Sequence, residues 1–177
     1  HPVPGLHHLV KSGGKPPHER YSLYQQYYST MVSREKQKKV IVTLNDNIDW
    51  VEDIHLQIAN RLQKESEKQQ NPSAEIGNVE FTNLIKEYIV ENMDEYYEKE
   101  EEIDAKVELF LRTITHRICF LTENRDGFYS FSIRSMQEFF AGTCLVKKVG
   151  DKEVMKNIRA IAYKSYWRNV LLFALGY

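Results

Sequence analysis

The sequence predicts a mainly α-helical protein with one small β-hairpin in its second half. Apolar side chains recur every three to four residues through most of the chain, which is typical of helices with one buried face. Residues 120–132 are instead rich in aromatic and β-branched types and are split by a turn sequence. A helix-start pattern follows directly at residues 135–138. Together these patterns predict helices, then a hairpin, then more helices.

The composition indicates a folded chain without a strong overall charge. Hydrophobic residues make up 42% of the 177 positions, enough for a sizeable core. The net charge is −1, so membranes and nucleic acids are not favoured as partners, and the longest apolar run is too short to span a bilayer. Cys119 and Cys144 lack metal-binding spacing, which predicts buried free thiols in a reducing compartment. With no signal-peptide pattern, we expect a cytoplasmic location.

Two helices are predicted in the first third of the chain. The first runs from Pro17 to about Lys38 and has a wide aromatic face with a basic end. Residues 45–47 form a turn and helix-cap cluster, and the second helix continues to about Ser66. His55 lies beside its apolar stripe, which predicts a partly exposed position. The stripe consists of Val51, Ile54, Ile58 and Leu62.

A polar stretch and two further helices lead to the hairpin. Residues 64–77 are polar and contain Asn-Pro, which predicts a mobile loop. The next helix ends near Met93, and an acidic run at residues 94–104 predicts a solvated connection. Asp104 is the expected cap of a helix that carries His116 on its exposed side. The buried stripes of the two helices are Phe81, Leu84, Ile85, Tyr88 and Ile89, and Val107, Phe110, Leu111, Ile114 and Ile118.

The hairpin and the helix after it form the most informative segment. The strands are predicted at about residues 120–123 and 128–132, around a turn in which Gly127 takes a positive φ. Ser135 and Glu138 have the spacing of a capping box, in which each side chain bonds the other residue's backbone amide. The apolar stripe beyond is Met136, Phe139, Phe140, Thr143, Cys144 and Lys147. We expect Phe131 and Phe139 to be core anchors.

Two more helices are predicted at the carboxyl end. Val154, Ile158 and Ile161 have helical spacing after Gly150. Residues 167–175 form a strongly apolar helix, and we expect its partner surface to lie outside this chain.

Residues 128–142 resemble the end of the winged-helix domain in NACHT-type STAND NTPases. The shared core is Gln137-Glu138-Phe139-Phe140-Ala141, preceded by the hairpin, and the order of three helices and a hairpin is that of a winged helix. Residues 13–28 resemble the segment that follows the family's NTPase core. Its slots are filled by Gly14, Pro17, Arg20, Leu23, Tyr24 and Tyr27, with His1-Pro2 near the family's Asn-Pro.

The resemblance implies a division into three parts. Residues 1–43 correspond to the helical segment after the NTPase core, 44–148 to the winged helix, and 149–177 to the start of a further helical domain. Residues 165–177 also look like a helix of the family. The residues for which a structural role is expected are Arg20, Tyr24, Phe131, Ser135, Gln137, Glu138, Phe139 and Phe140.

The resemblance also implies a regulatory role in signalling or in immune and antiviral defence. In the family, the winged helix closes over ADP and restrains the NTPase module, and exchange for ATP permits oligomerisation. The expected partners are therefore the protein's own NTPase module and further copies of itself. ADP or ATP with Mg²⁺ would bind the whole protein, whose Walker motifs would lie upstream of residue 1. Many members approach the phosphate with a histidine where this chain has Ile133; Arg134 and Pro2 are the remaining candidate nucleotide contacts.

The chain itself shows no catalytic pattern. Residues 5–12 superficially match a phosphate loop, but Val10 replaces the required second glycine. No metal-ligand spacing or paired nucleophile and base is present, so we expect no enzymatic activity and no cofactor in this part. Two alternatives stay open: a DNA-binding winged helix of a transcription regulator, which the mixed charge of the candidate recognition helices disfavours, and a plain helical scaffold.

Overall fold

The computed structural model describes residues 16–37, 48–71, 74–93, 100–118 and 120–177. It is mainly helical with a small antiparallel sheet, as the sequence predicts. The elements in chain order are α1 (Pro17–Gln37), α2 (Ile48–Gln69), β1 (Ile76–Gly77), α3 (Asn78–Asn92), α4 (Glu100–Arg112) with a π-helical extension (Thr113–Ile118), β2 (Leu121–Arg125), β3 (Phe128–Phe131), α5 (Arg134–Val146), α6 (Asp151–Ile161), a short 3-10 helix (Ser165–Trp167) and α7 (Arg168–Gly176).

The predicted hairpin is confirmed. Strands β2 and β3 pair antiparallel, with Leu121 opposite Phe131. Gly127 has a φ of 72° in the turn, a conformation that glycine adopts without a steric penalty. Its amide donates to the Glu123 carboxylate at 2.7 Å, which closes the turn. The hairpin therefore forms where the aromatic segments and the turn residues indicate it.

A third strand, which the sequence analysis missed, extends this sheet. Strand β1 has only two residues and pairs with β3, so the strand order is β1-β3-β2. The prediction of a mobile loop is wrong for residues 64–69 and 74–77, because α2 continues to Gln69 and because Ala74 and Ile76 are buried. Residues 72 and 73 of the predicted loop lie outside the described part of the chain. A two-residue strand has no visible period in the sequence, because its stability comes from β3 and from the core beneath it. Helices α2, α3 and α4 thus precede the hairpin, in the element order that the sequence predicts.

The start of α4 also differs from the prediction. Asp104 was the expected cap, but α4 already begins at Glu100. The Asp104 carboxylate instead accepts a hydrogen bond from Lys86 of α3 at 2.8 Å. An acidic first turn suits the positive end of the helix dipole, which explains why the helix includes these residues. The predicted cap cluster at 45–47 and residues 94–99 lie outside the described part of the chain.

One hydrophobic cluster connects α1 with helices α2 to α5, the hairpin and α7. Phe139 and Phe140 of α5 are each 1% exposed and lie near its centre. The expectation that α7 needs a partner from outside the chain is wrong, since Val170 and Phe173 are fully buried against α5 and α1. The division at residues 43 and 148 stays a prediction.

His55 is the least expected member of this core. Its side chain was predicted to be partly exposed, but it is completely buried, with its ring stacked 5.1 Å from that of Phe140. Nδ1 donates to the Val51 carbonyl at 2.6 Å, and Nε2 is buried with no partner among the described residues. Burial lowers the pKa of His55 to about 4 despite the opposing bond to Val51. The imidazole is therefore neutral in the folded protein near pH 7.

Because His55 gains a proton more easily when unfolded, we expect the free energy of unfolding to fall as the pH drops from about 6.5 towards 4. Between pH 7 and pH 5 the loss from this group should be about 2 kcal/mol. Denaturant titrations at intervals of half a pH unit measure it. His55→Leu should remove most of this pH dependence, and the same slope in this variant and the wild type would contradict the assignment.

Gly142 sets the distance between α5 and α7. A Cβ atom there would lie 2.7 Å from the Val170 carbonyl oxygen and 2.8 Å from Cβ of Phe173. Gly142→Ala should therefore destabilise the protein by about 1 to 3 kcal/mol, although alanine is the better helix former. Gly150→Ala is the matched control, since nothing lies within 4 Å of its new methyl group. Chemical denaturation compares the two, and a stabilised Gly142→Ala variant would show that the helices are not in close contact.

Candidate functional site: the amino-terminal end of helix α5

The predicted site residues meet where the hairpin passes into α5. Ile133 is the N-cap in an extended conformation, with φ −126° and ψ 113°, and makes no side-chain capping bond. Its carbonyl instead accepts from the amides of Met136 and Gln137. Ser132 donates its backbone amide to the Phe120 carbonyl at 2.9 Å, which fixes the entry to the helix against β2. The start of α5 is thus set by the hairpin.

The capping box predicted at Ser135 and Glu138 is wrong. The helix starts at Arg134, so Ser135 is already inside the first turn. Its hydroxyl oxygen accepts a hydrogen bond from the Tyr24 hydroxyl of α1 at 2.8 Å. The Glu138 carboxylate pairs with Arg134, 3.4 Å away, one turn back on the same helix. The bond of Ser135 joins residues 111 positions apart, which local sequence spacing does not reveal, whereas the pair of Glu138 with Arg134 has the i,i+4 spacing of neighbours on one helix face.

Arg134 lies along α2. Its guanidinium donates to the Ser66 hydroxyl at 3.2 Å and to the Gln63 side-chain oxygen at 3.1 Å. With Glu138 as the third partner, a side chain that is only 30% exposed is held by both helices. Arg134 thus links α2 to α5, and its contact with a nucleotide stays a prediction.

The bonds of Arg134 continue into a larger polar network, here called the polar seam, between α2, α5 and the 3-10 helix. The Gln63 amide donates to the Tyr166 carbonyl at 2.7 Å and its oxygen accepts from Gln137 at 3.1 Å. The Glu67 carboxylate accepts from the Trp167 indole at 2.9 Å and from Lys164 at 3.0 Å. These donors, the indole above all, lower the pKa of Glu67.

The seam residues of α2, namely Gln63, Ser66 and Glu67, were not predicted. Ser66 and Glu67 fall in the stretch 64–77 that was interpreted as a loop, and Gln63 directly precedes it. Their spacing of three and four residues continues the helical period of α2 and is the signal that could have found them.

Helix α1 is held against this end of α5 by aromatic contacts. The Tyr24 ring lies 4.9 Å from that of Phe173 and 5.8 Å from that of Phe139. The Arg20 guanidinium is 4.6 Å from the centre of the Phe173 ring, in cation–π geometry. Tyr24 and Arg20 thus pack α1 onto α5 and α7.

An apolar cleft of about 200 Å³ opens beside these contacts. Leu23, Tyr27 and Ile133 line it and are 50%, 44% and 46% exposed, respectively. Met136 is also part of the lining and is 1% exposed, and Tyr24 completes it. We call these five residues the α1–α5 cleft. The surface at Ile133, the position for which the resemblance implies a phosphate contact in NACHT-type proteins, is therefore apolar and open in this chain.

The remaining candidate groups lie apart from the cleft. His116 is exposed, as predicted, and its Nδ1 lies 2.6 Å from the Thr115 hydroxyl. Cys144 is a free thiol, as predicted, but it is half-buried, and burial raises its pKa. Cys119 and Pro2 lie outside the described residues.

Among the described ranges, no three His, Cys, Asp or Glu side chains come together in a way that could hold a metal ion. None of the helices described there has both the length and the apolar character needed to cross a membrane.

No family model, curated protein or solved structure matches this chain. The resemblance to NACHT-type proteins therefore depends on the motifs at residues 13–28 and 128–142.

The hydrogen bond between Tyr24 and Ser135 can be separated from a capping role by a double-mutant cycle. Tyr24→Phe and Ser135→Ala should each lower the free energy of unfolding by about 1 kcal/mol. The loss in the double variant should be smaller than the sum of the two single losses by about 0.5 to 1 kcal/mol, and this overlap is the energy of the shared bond. Denaturant midpoints at constant m-value measure the overlap. Fully additive losses would show that the two hydroxyls do not interact and that Ser135 acts only within its own helix.

Proposed function

We propose that this chain is the nucleotide-controlled lid of a NACHT-type STAND NTPase that acts in signalling or defence. The lid packs against an upstream NTPase module while ADP is bound, and it releases the module when ATP replaces ADP. On release, the protein forms oligomers. Catalysis and the binding of ADP, ATP and Mg²⁺ belong to the upstream module, and the chain itself contributes the covering surface.

The observation that carries this proposal is the exposed α1–α5 cleft at the expected contact side. Leu23, Tyr27 and Ile133 together leave a contiguous apolar surface open to water, which is typical of a surface that binds another protein element. The cleft lies between the two segments that carry the resemblance, residues 13–28 and 128–142. One surface thus combines both motifs.

The composition of the cleft indicates how such a lid would work. The isoleucine side chain at position 133 has no group that donates a hydrogen bond to phosphate, and Arg134 is engaged by α2. The lid would therefore be held closed by burial of apolar side chains, at about 25 cal/mol per Å² of apolar surface removed from water. A nucleotide shifts such an equilibrium only through its different affinity for the two states. In this proposal, ADP binds more tightly to the conformation of the NTPase module that packs against the α1–α5 cleft.

The charge of the exposed helices disfavours a DNA-binding winged helix. Helix α4, in the position of a recognition helix, exposes Glu100, Glu101, Glu102, Asp104 and Glu108. Arg125, a basic residue next to the hairpin turn, is paired with Glu75 at 2.9 Å and lies over the Phe128 ring. A duplex is bound through cations directed at phosphate, so a retardation assay at low salt should show no shifted band.

The lid proposal is tested in the full-length protein that contains the upstream segment. Ile133→Asp and Leu23→Asp place a charge in the cleft, and each should speed the release of a fluorescent ADP analogue at least tenfold. Light scattering after gel filtration should show a shift from monomer to oligomer. Tyr163→Asp is the control, because Tyr163 is 84% exposed and lies outside the cleft.

Wild-type behaviour in both cleft variants would contradict the proposal, as would an upstream sequence without Walker motifs. The isolated 177-residue chain should show no ATP turnover above a mock preparation, because the expected nucleotide site lies upstream of residue 1.

A further inference from the structure

A second, larger groove lies on another side of the molecule, between α2 and α3, and is closed at one end by the turn between β2 and β3. Its volume is about 970 Å³. The lining residues fall between positions 57 and 64 on α2 and between positions 78 and 87 on α3, and Gly77 and Cys144 also contribute to the lining. Each wall is therefore about two to two and a half helical turns, or roughly 10 to 14 Å, long. We call this the α2–α3 groove.

The two walls of the groove carry opposite charge. Arg61 and Lys64 lie on the α2 wall, and Glu80 and Glu87 lie on the α3 wall. Arg61 and Glu80 form an ion pair with each other. Lys64 and Glu87 are exposed and make no ion pair within the described part of the chain. A complementary partner would thus carry acidic groups on one edge and basic groups on the other.

Apolar side chains lie between the charged walls. Val79 is 75% exposed and Phe128 is 38% exposed, and Leu84 is half-buried beside them. These side chains can be covered only by an occupant with an apolar face. Because the Arg61–Glu80 ion pair joins the two walls, an occupant lies over the groove and directs its apolar face towards these side chains.

We propose that the α2–α3 groove binds a short amphipathic helix of a partner protein. The apolar face of that helix contacts Val79, Leu84 and Phe128. One of its edges carries acidic residues towards Lys64, and the other carries basic residues towards Glu87. A nucleic acid does not fit, since an acidic wall faces the basic one. This inference is independent of the lid function, because it involves none of the residues of the α1–α5 cleft.

Synthetic 14-residue helical peptides provide the test. The probe has leucines at positions i, i+4, i+7 and i+11, glutamates along one edge and lysines along the other, and a fluorescent label. Two comparison peptides keep the leucines but carry glutamate on both edges or lysine on both edges. Fluorescence anisotropy with the 177-residue chain at low salt should show the mixed-edge peptide binding at least fivefold more tightly than either comparison peptide. If the peptide binds in the opposite direction, its glutamate edge and its lysine edge change places. The mixed-edge peptide can therefore place glutamates at Lys64 and lysines at Glu87 in one of its two directions, whichever edge carries the glutamates.

Paired charge reversals on α3 locate the binding surface. Glu87→Lys leaves an unpaired lysine on each wall. It should therefore weaken the binding of the mixed-edge peptide at least fivefold and strengthen the binding of the peptide with glutamate on both edges. Glu91→Lys is the matched control on the same helix, since Glu91 is exposed and does not line the groove. Both substitutions are at exposed positions, and circular dichroism checks the fold.

Three outcomes would overturn the proposal. The first is no binding of the mixed-edge peptide, and the second is equal binding of all three peptides. The third is an equal effect of Glu87→Lys and Glu91→Lys, which would indicate general electrostatic attraction outside the groove.

Discussion

The burial of residues 136–143 of α5 on all sides is the constraint on which the rest of the structure depends. Phe140 contacts rings from α1, α2 and β3, including Tyr28 at 5.4 Å and Phe131 at 5.8 Å, and the ring of Phe120 directly before β2. On the opposite side, Gly142 allows the backbone of α7 to approach closely. The large ring of Phe140 and the missing side chain of Gly142 meet these two requirements on opposite sides of one helix. The helix consequently joins α2 and β3 to α1 and α7 in one core.

This arrangement also determines which surfaces are left for function. The polar seam engages Arg134 with α2, so the amino-terminal end of α5 presents Ile133 and its apolar neighbours to solvent. The α2–α3 groove lies on a different surface and has charged walls. The fold thus offers one mainly apolar contact surface and one that also selects by charge. We propose that the α1–α5 cleft binds the NTPase module and that the α2–α3 groove binds a separate helical partner.

Local patterns in the sequence predicted those elements that local chemistry determines. The hairpin depends on Gly127 and its aromatic strands, and the helices on apolar stripes, so both were predicted with small errors at their ends. The contacts of Ser135, His55 and Ile76 were not predicted, because their partners lie more than 50 residues away or on neighbouring elements. His55 shows the limit most clearly: an imidazole beside an apolar stripe is normally a boundary residue, and only the surrounding Phe120, Phe131 and Phe140 rings bury it. Of the candidate site, the sequence showed that an isoleucine stands at position 133, whereas the cleft that it lines and the seam that engages Arg134 were not predicted.

Native-state hydrogen exchange tests most directly whether α5 unites the chain into one cooperative unit. With exchange followed by mass spectrometry across a series of low denaturant concentrations, the slowest amides of α1, α5 and α7 should open with the same free energy, equal to that of global unfolding. Amides of α1 or α7 that exchange through a much smaller opening energy, while those of α5 stay protected, would contradict the account.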